Sequence, residues 1–180
     1  MISAADLERV AEQLGRRPRA VLRVAARRAC GEPVVIETYP AVRGGDGVLR
    51  PFPTLFWLTD PVLNGAIGRA ESAGGIARLE GVLREDEALA AGLAEDHRCY
   101  AARRWGLVSE ADRAELVERG CEEVARDSGI GGIAGGVGLK CLHLHGAHHL
   151  AELAEGMAGT TVGMLMEREL GVGLSGIVRV

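Results

Sequence analysis

Ala20-Val21-Leu22-Arg23-Val24-Ala25, followed by Cys30-Gly31-Glu32-Pro33 and Val34-Val35-Ile36-Glu37-Thr38, is the stretch that decides the fold. Its first six residues suit a helix by composition as well as a strand. The last five settle the matter, because β-branched residues dominate them and a Cys-Gly turn separates the two runs. The stretch predicts a hairpin over about 20–38 with the Cys30 thiol at its tip. Phe52-Pro53-Thr54-Leu55-Phe56-Trp57-Leu58 predicts one further buried strand, over about 53–58. The expected class is therefore α+β: a single, mostly helical domain over 1–180 with a small antiparallel sheet.

Outward from the hairpin, capping and breaking signals divide the chain. Residues 1–18 read as an N-terminal helix and a basic connector, with Ser3 as cap, Gly15 as stop, and Arg16, Arg17 and Arg19 around Pro18. Those arginines suit an anion or simple solvation. Pro40 to Pro53 reads as a loop turning at Gly44-Gly45-Asp46-Gly47. Thr59-Asp60-Pro61 opens a helix that stops near Gly74-Gly75, and a second runs from about Ile76 to Arg84. A longer one runs from Asp86 to about Trp105, and another from Ser109 to about Asp127. Gly129–Gly138 is a glycine-rich loop, Val162–Leu170 a short helix, and Leu174–Val180 a last strand.

Composition narrows the classes of function. Hydrophobic content is 47% and charged content 26%, as in ordinary globular proteins, while 3% aromatics leaves the core to Leu, Val, Ile and Ala. A net charge of −4 argues against general nucleic-acid affinity. No run approaches the roughly 18 apolar residues of a membrane helix, and no signal-like segment is seen at the start. A cytoplasmic location is expected, where four cysteines serve as thiols or ligands rather than disulfides.

Reactive side chains concentrate in Leu139-Lys140-Cys141-Leu142-His143-Leu144-His145-Gly146-Ala147-His148-His149-Leu150, which holds four of the five histidines and the only lysine. As one continuous helix it places Cys141, His145, His148 and Glu152 on one stripe and His143 almost opposite Cys141. A thiol, imidazoles and a carboxylate on one stripe suit zinc or an iron centre, and equally a thiolate activated by a neighbouring imidazole. Upstream, His97 and Tyr100 extend an apolar helical stripe, which makes them core residues or, with Arg103, the polar tips of a pocket. Gly131 and Gly132, with Lys140 at the start of the next helix, offer amides and an ammonium to a small anion. Asp60 is either a helix cap or a ligand. Cys99 and Cys121 read as small apolar residues inside helices.

These pieces resemble a bacterial family catalogued as domain of unknown function 501. The likeness rests on Cys30-Gly31-Glu32-Pro33, Phe52-Pro53-Thr54-Leu55, Leu58-Thr59 before Pro61, His97 with Tyr100 and Arg103, Gly131-Gly132, and Lys140-Cys141-Leu142-His143 with Ala147-His148. It extends from Leu14 to about Gly163 and implies no settled activity. Family members often carry Cys-Pro where this chain has Arg28-Ala29, and Cys or His in place of Asp60. His145 and His149 lie outside the family pattern.

The first expectation is a site where the Cys30 turn meets Cys141 and His148, completed by Asp60, His143 or His145, holding zinc or an iron centre. Lys140, Gly131, Gly132 and Arg103 would then receive a small anionic ligand. The second is metal-free thiol catalysis, with Cys141 or Cys30 as nucleophile and His148 or His143 as base. The third is a non-catalytic module that binds a small ligand or a partner.

Overall fold

The structure, a computed structural model, describes residues 2–135 and 138–178. Helix α1 (Ala4–Leu14) begins where the Ser3 hydroxyl accepts from the Asp6 amide and ends at Gly15, whose φ of 65° lets its amide turn back onto the helix. Strands β1 (Val21–Arg27) and β2 (Pro33–Thr38) form the antiparallel hairpin expected from their β-branched content. The stretch from Pro40 to Pro53 is not a simple loop. It forms a second hairpin, β3 (Ala41–Arg43) and β4 (Leu49–Pro51), closed where the Gly44 amide bonds to the Val48 carbonyl and Asp46 accepts from the Val48 amide. Strand β5 (Phe56–Leu58) pairs with the other edge of β2 and completes a sheet of order β1-β2-β5.

The helices follow in sequence: α2 (Pro61–Ser72), α3 (Gly75–Glu85) and α4 (Glu87–Leu107), then α5 (Glu110–Glu118), α6 (Glu122–Arg126), α7 (Leu142–Ala154) and α8 (Thr161–Leu170). The helix expected from Ser109 to Asp127 is two helices. Gly120 at φ 61° breaks it, and Cys121 sits between the halves rather than inside one. A 3-10 turn over Ile130–Gly132 lies in the glycine-rich stretch, of which Gly136 and Val137 fall outside the described residues. In place of the expected last strand, Val178 makes an isolated bridge to Arg28, and Arg179 and Val180 are not among the described residues.

Helix α7 is the centre of the molecule. It packs on the β1-β2-β5 sheet on one side and on α2 and α8 on the others. Leu142 and every residue from His145 to Ala151 are buried. A helix covered all round is normally apolar throughout, so three interior histidines on α7 are unusual cargo. Leucines such as Leu142 and Leu150, fully buried, contribute roughly 2 kcal/mol each to holding it there. Among the described residues no helix is long and apolar enough to cross a membrane.

A candidate metal centre at the start of the central helix

Helix α7 does not run through the whole His-rich stretch. Cys141 has extended backbone (φ −158°, ψ 124°) and is the residue that caps the helix, which begins at Leu142. The thiol therefore leaves the stripe that periodicity assigns to it, and His143 does not face away from it. His143 Nδ1 lies 3.7 Å from Cys141 Sγ. Glu71, in the last turn of α2, joins them: its Oε2 lies 3.2 Å from His143 Nδ1 and its Oε1 accepts from the Leu142 amide at 2.5 Å. One ligand atom from each of Glu71, Cys141 and His143 falls within 4.8 Å of the other two. Among the described residues this is the one such group of three or more Cys, His, Asp or Glu side chains.

The histidine's far nitrogen fixes the chemistry of the near one. Nε2 of His143 lies 3.2 Å from the main-chain oxygen of Asn64, which can only accept, so Nε2 carries a proton. In a neutral ring Nδ1 then holds a lone pair, aimed at a carboxylate oxygen and a sulfur. Three electron-rich atoms converge, and a proton or a metal cation between them resolves the conflict. Metal-bound histidines commonly donate their second N–H to a backbone carbonyl in this way. All three side chains are half-buried, so one side remains open to solvent. Burial pushes the Cys141 thiol up from its ordinary value, the Glu71 charge adds to this, and the Leu144 and His143 amides offset part of it.

The other predicted residues fall elsewhere. Cys30 is exposed at the hairpin turn and is no member of the group. Asp60 is the cap of α2: its Oδ1 accepts from the Val62 and Leu63 amides and its Oδ2 from Arg28 at 2.6 Å. The carboxylate is thus satisfied by a helix terminus and an ion pair. His148 is buried within the molecule, stacked on Phe56 with centroids 5.6 Å apart and edge-on to Tyr100 at 5.1 Å, with Nε2 3.4 Å from Glu152. It therefore shares no centre with Cys141, which corrects the meeting of the Cys30 turn, Cys141 and His148 expected from the sequence.

His97, Tyr100, His145 and His148 do lie against one another, in the interior between α4, α7 and β5. His97 and His145 rings are 5.8 Å apart. His97 Nδ1 accepts from the Ile130 amide at 3.0 Å and Nε2 donates to the Gly138 carbonyl, so this ring fastens the glycine-rich stretch. Tyr100, whose hydroxyl accepts from the Leu55 amide at 2.6 Å, fastens β5. His145 has no hydrogen-bond partner on either nitrogen among the described residues, and burial pushes its pKa down to about 3. Arg103 bridges Glu37 and Glu155 at 2.8 and 2.7 Å and lies over the Phe56 ring, so its charge is committed to a partly buried network of ion pairs. Gly131 at φ 73° has Lys140 and Leu144 side chains 3.3 Å from where a Cβ would stand, Gly132 is exposed at φ 77°, and Lys140 is exposed. Cys99, expected to be a packing residue, is exposed on α4 beside Glu95.

Glu71 is the residue that sequence reasoning misses. It sits 70 positions before Cys141 within an ordinary helical pattern, and nothing local distinguishes it.

No curated protein and no solved structure matches the chain. The resemblance carried by its motifs holds at the family level, over residues 24–163, which include Glu71, Cys141 and His143. The chain belongs to the family described as protein of unknown function (DUF501).

Proposed function

We propose that the protein binds one divalent transition metal, zinc in the first instance, through Glu71, Cys141 and His143. The observation that carries this reading is the convergence of Glu71 Oε2, Cys141 Sγ and His143 Nδ1 while His143 Nε2 is held by the Asn64 carbonyl. Sulfur, nitrogen and oxygen donors suit zinc, and an iron centre accepts the same set. Three protein ligands leave one tetrahedral position free. A metal with an open position lowers the pKa of a bound water toward neutrality and so supports hydrolytic chemistry. Lys140, exposed and adjacent to Cys141 in the chain, offers a charge to an anionic substrate.

The alternative, metal-free catalysis by a Cys141 thiolate, runs against the local electrostatics, since burial and the Glu71 charge both favour the protonated thiol. Cobalt(II) titration of the metal-free full chain separates the readings. The metal reading expects a sulfur-to-cobalt charge-transfer band that persists in Cys30→Ser and disappears in Cys141→Ser. Its absence from the wild-type chain, or its loss in Cys30→Ser alone, overturns the assignment.

A further inference from the structure

The face of the sheet turned away from α7 carries a second site. Ile36 and Trp57 are paired directly across β2 and β5. They form the floor of a cleft of about 770 Å3 that also includes Phe52 and is rimmed by Arg16, Arg17 and Arg19 of the connector after α1. That volume lies within the range of roughly 300–1,000 Å3 in which small-molecule sites fall.

Charge and aromatic content both mark this cleft out. Most arginines of this acidic chain are neutralised, as in the pairs of Arg9 with Glu32, Arg27 with Asp6 and Arg43 with Glu115. Arg16, Arg17 and Arg19 pair with no carboxylate among the described residues. Held within four positions around a proline, which restricts the backbone, they raise a positive potential at the rim that a multiply charged anion relieves. The chain has two tryptophans and two phenylalanines, and one of each is placed here rather than in the core. Phe52 and Trp57 stack with centroids 5.9 Å apart and planes within 10°, and the Arg16 guanidinium carbon lies 5.4 Å from the Trp57 centroid. The Trp57 indole N–H has no acceptor among the described residues. Guanidinium groups take phosphate through paired hydrogen bonds, and aromatic faces take flat rings.

We propose that this cleft binds a small ligand made of a flat ring and a phosphate chain, the chemistry of a mononucleotide. The phosphates sit against Arg17 and Arg19, and the ring against the Phe52–Trp57 pair. This site is independent of the metal centre and stands whether or not a metal binds there.

The test is isothermal titration of the full-length chain, in metal-free buffer, with ADP, pyrophosphate and adenosine, beside Trp57 fluorescence in a Trp105→Phe background. Saturable ADP binding is expected, tighter than that of pyrophosphate or adenosine, with a change in Trp57 emission. In Arg17→Gln/Arg19→Gln, which alters exposed side chains without carboxylate partners, ADP affinity falls about tenfold or more. Three results overturn the proposal: no saturable ADP binding, equal affinity for ADP and pyrophosphate, or ADP binding that leaves both the double variant and Trp57 emission unaffected.

Discussion

His143 Nε2 faces the main-chain oxygen of Asn64 at 3.2 Å while Nδ1 of the same ring faces Glu71 at 3.2 Å, so α2 grips both edges of a histidine presented by α7. The first contact fixes the proton on Nε2. The second then places a lone pair beside a carboxylate unless a cation lies between them. Glu71 has a further part, since its other oxygen caps the α7 N-terminus through the Leu142 amide. Glu71→Gln keeps an oxygen for that amide and removes the charge. Zinc affinity is expected to fall by at least about tenfold, with the helical circular dichroism retained. Competition with a chromophoric chelator measures it.

Gly163 reverses the usual rule for glycine in a helix. In an exposed helix interior alanine is favoured over glycine by about 1 kcal/mol. Here a Cβ on α8 would collide with the ring of His149, whose Nδ1 is fixed as acceptor for the Thr160 amide at 2.8 Å. Gly163→Ala is expected to destabilise the protein by about 1–3 kcal/mol, the range for overpacking. Urea unfolding reads the sign directly, and a stabilised variant would show that the ring moves freely.

Tyr100 is fully buried and its hydroxyl is the acceptor for the Leu55 amide. Tyr100→Phe keeps the ring contacts with Phe56 and His148 and orphans that buried N–H. The expected cost is about 1–3 kcal/mol. Amide exchange at Leu55 should accelerate selectively.

The Arg23–Glu37–Arg103–Glu155 network links β1, β2, α4 and the end of α7. Hydrogen bonding from Arg103, with Arg23 adding, depresses the Glu155 carboxyl to about 2. A depressed carboxyl contributes stability that is present above its unfolded value of about 4.3 and is lost as pH falls through the folded value. Glu155→Gln is expected to cost about 1 kcal/mol at neutral pH after allowance for solvent screening. It also flattens the loss of stability between about pH 4 and pH 2, which thermal melts across that range would show.

The parts legible in the sequence are those set by local chemistry. The Val34–Thr38 run dictates a strand wherever it packs, the Cys-Gly turn closes the hairpin, and Asp60 before Pro61 caps a helix that needs a cap. The second hairpin was hidden because β3 and β4 are three residues each, too short for an alternating pattern to stand out. The start of α7 was hidden for a different reason. Nothing between Leu139 and Leu142 marks where the helix begins after the glycine-rich stretch, and the Leu142 amide at its start is met by the Glu71 carboxylate arriving from α2. The candidate centre depends on that contact across 71 positions, so the sequence pointed to Cys141 but placed His143 on the wrong side of it. His145 and His148 read as ligands by spacing, whereas their burial follows from α7 being covered on every side.

The central claim is that sulfur from Cys141, nitrogen from His143 and oxygen from Glu71 share one metal ion. X-ray absorption at the zinc edge of the zinc-loaded full-length protein tests it most directly. A shell of one sulfur at about 2.3 Å with nitrogen and oxygen at about 2.0–2.2 Å is predicted, and the sulfur scatterer disappears in Cys141→Ser. A shell without sulfur, or one whose sulfur survives that substitution, contradicts the account.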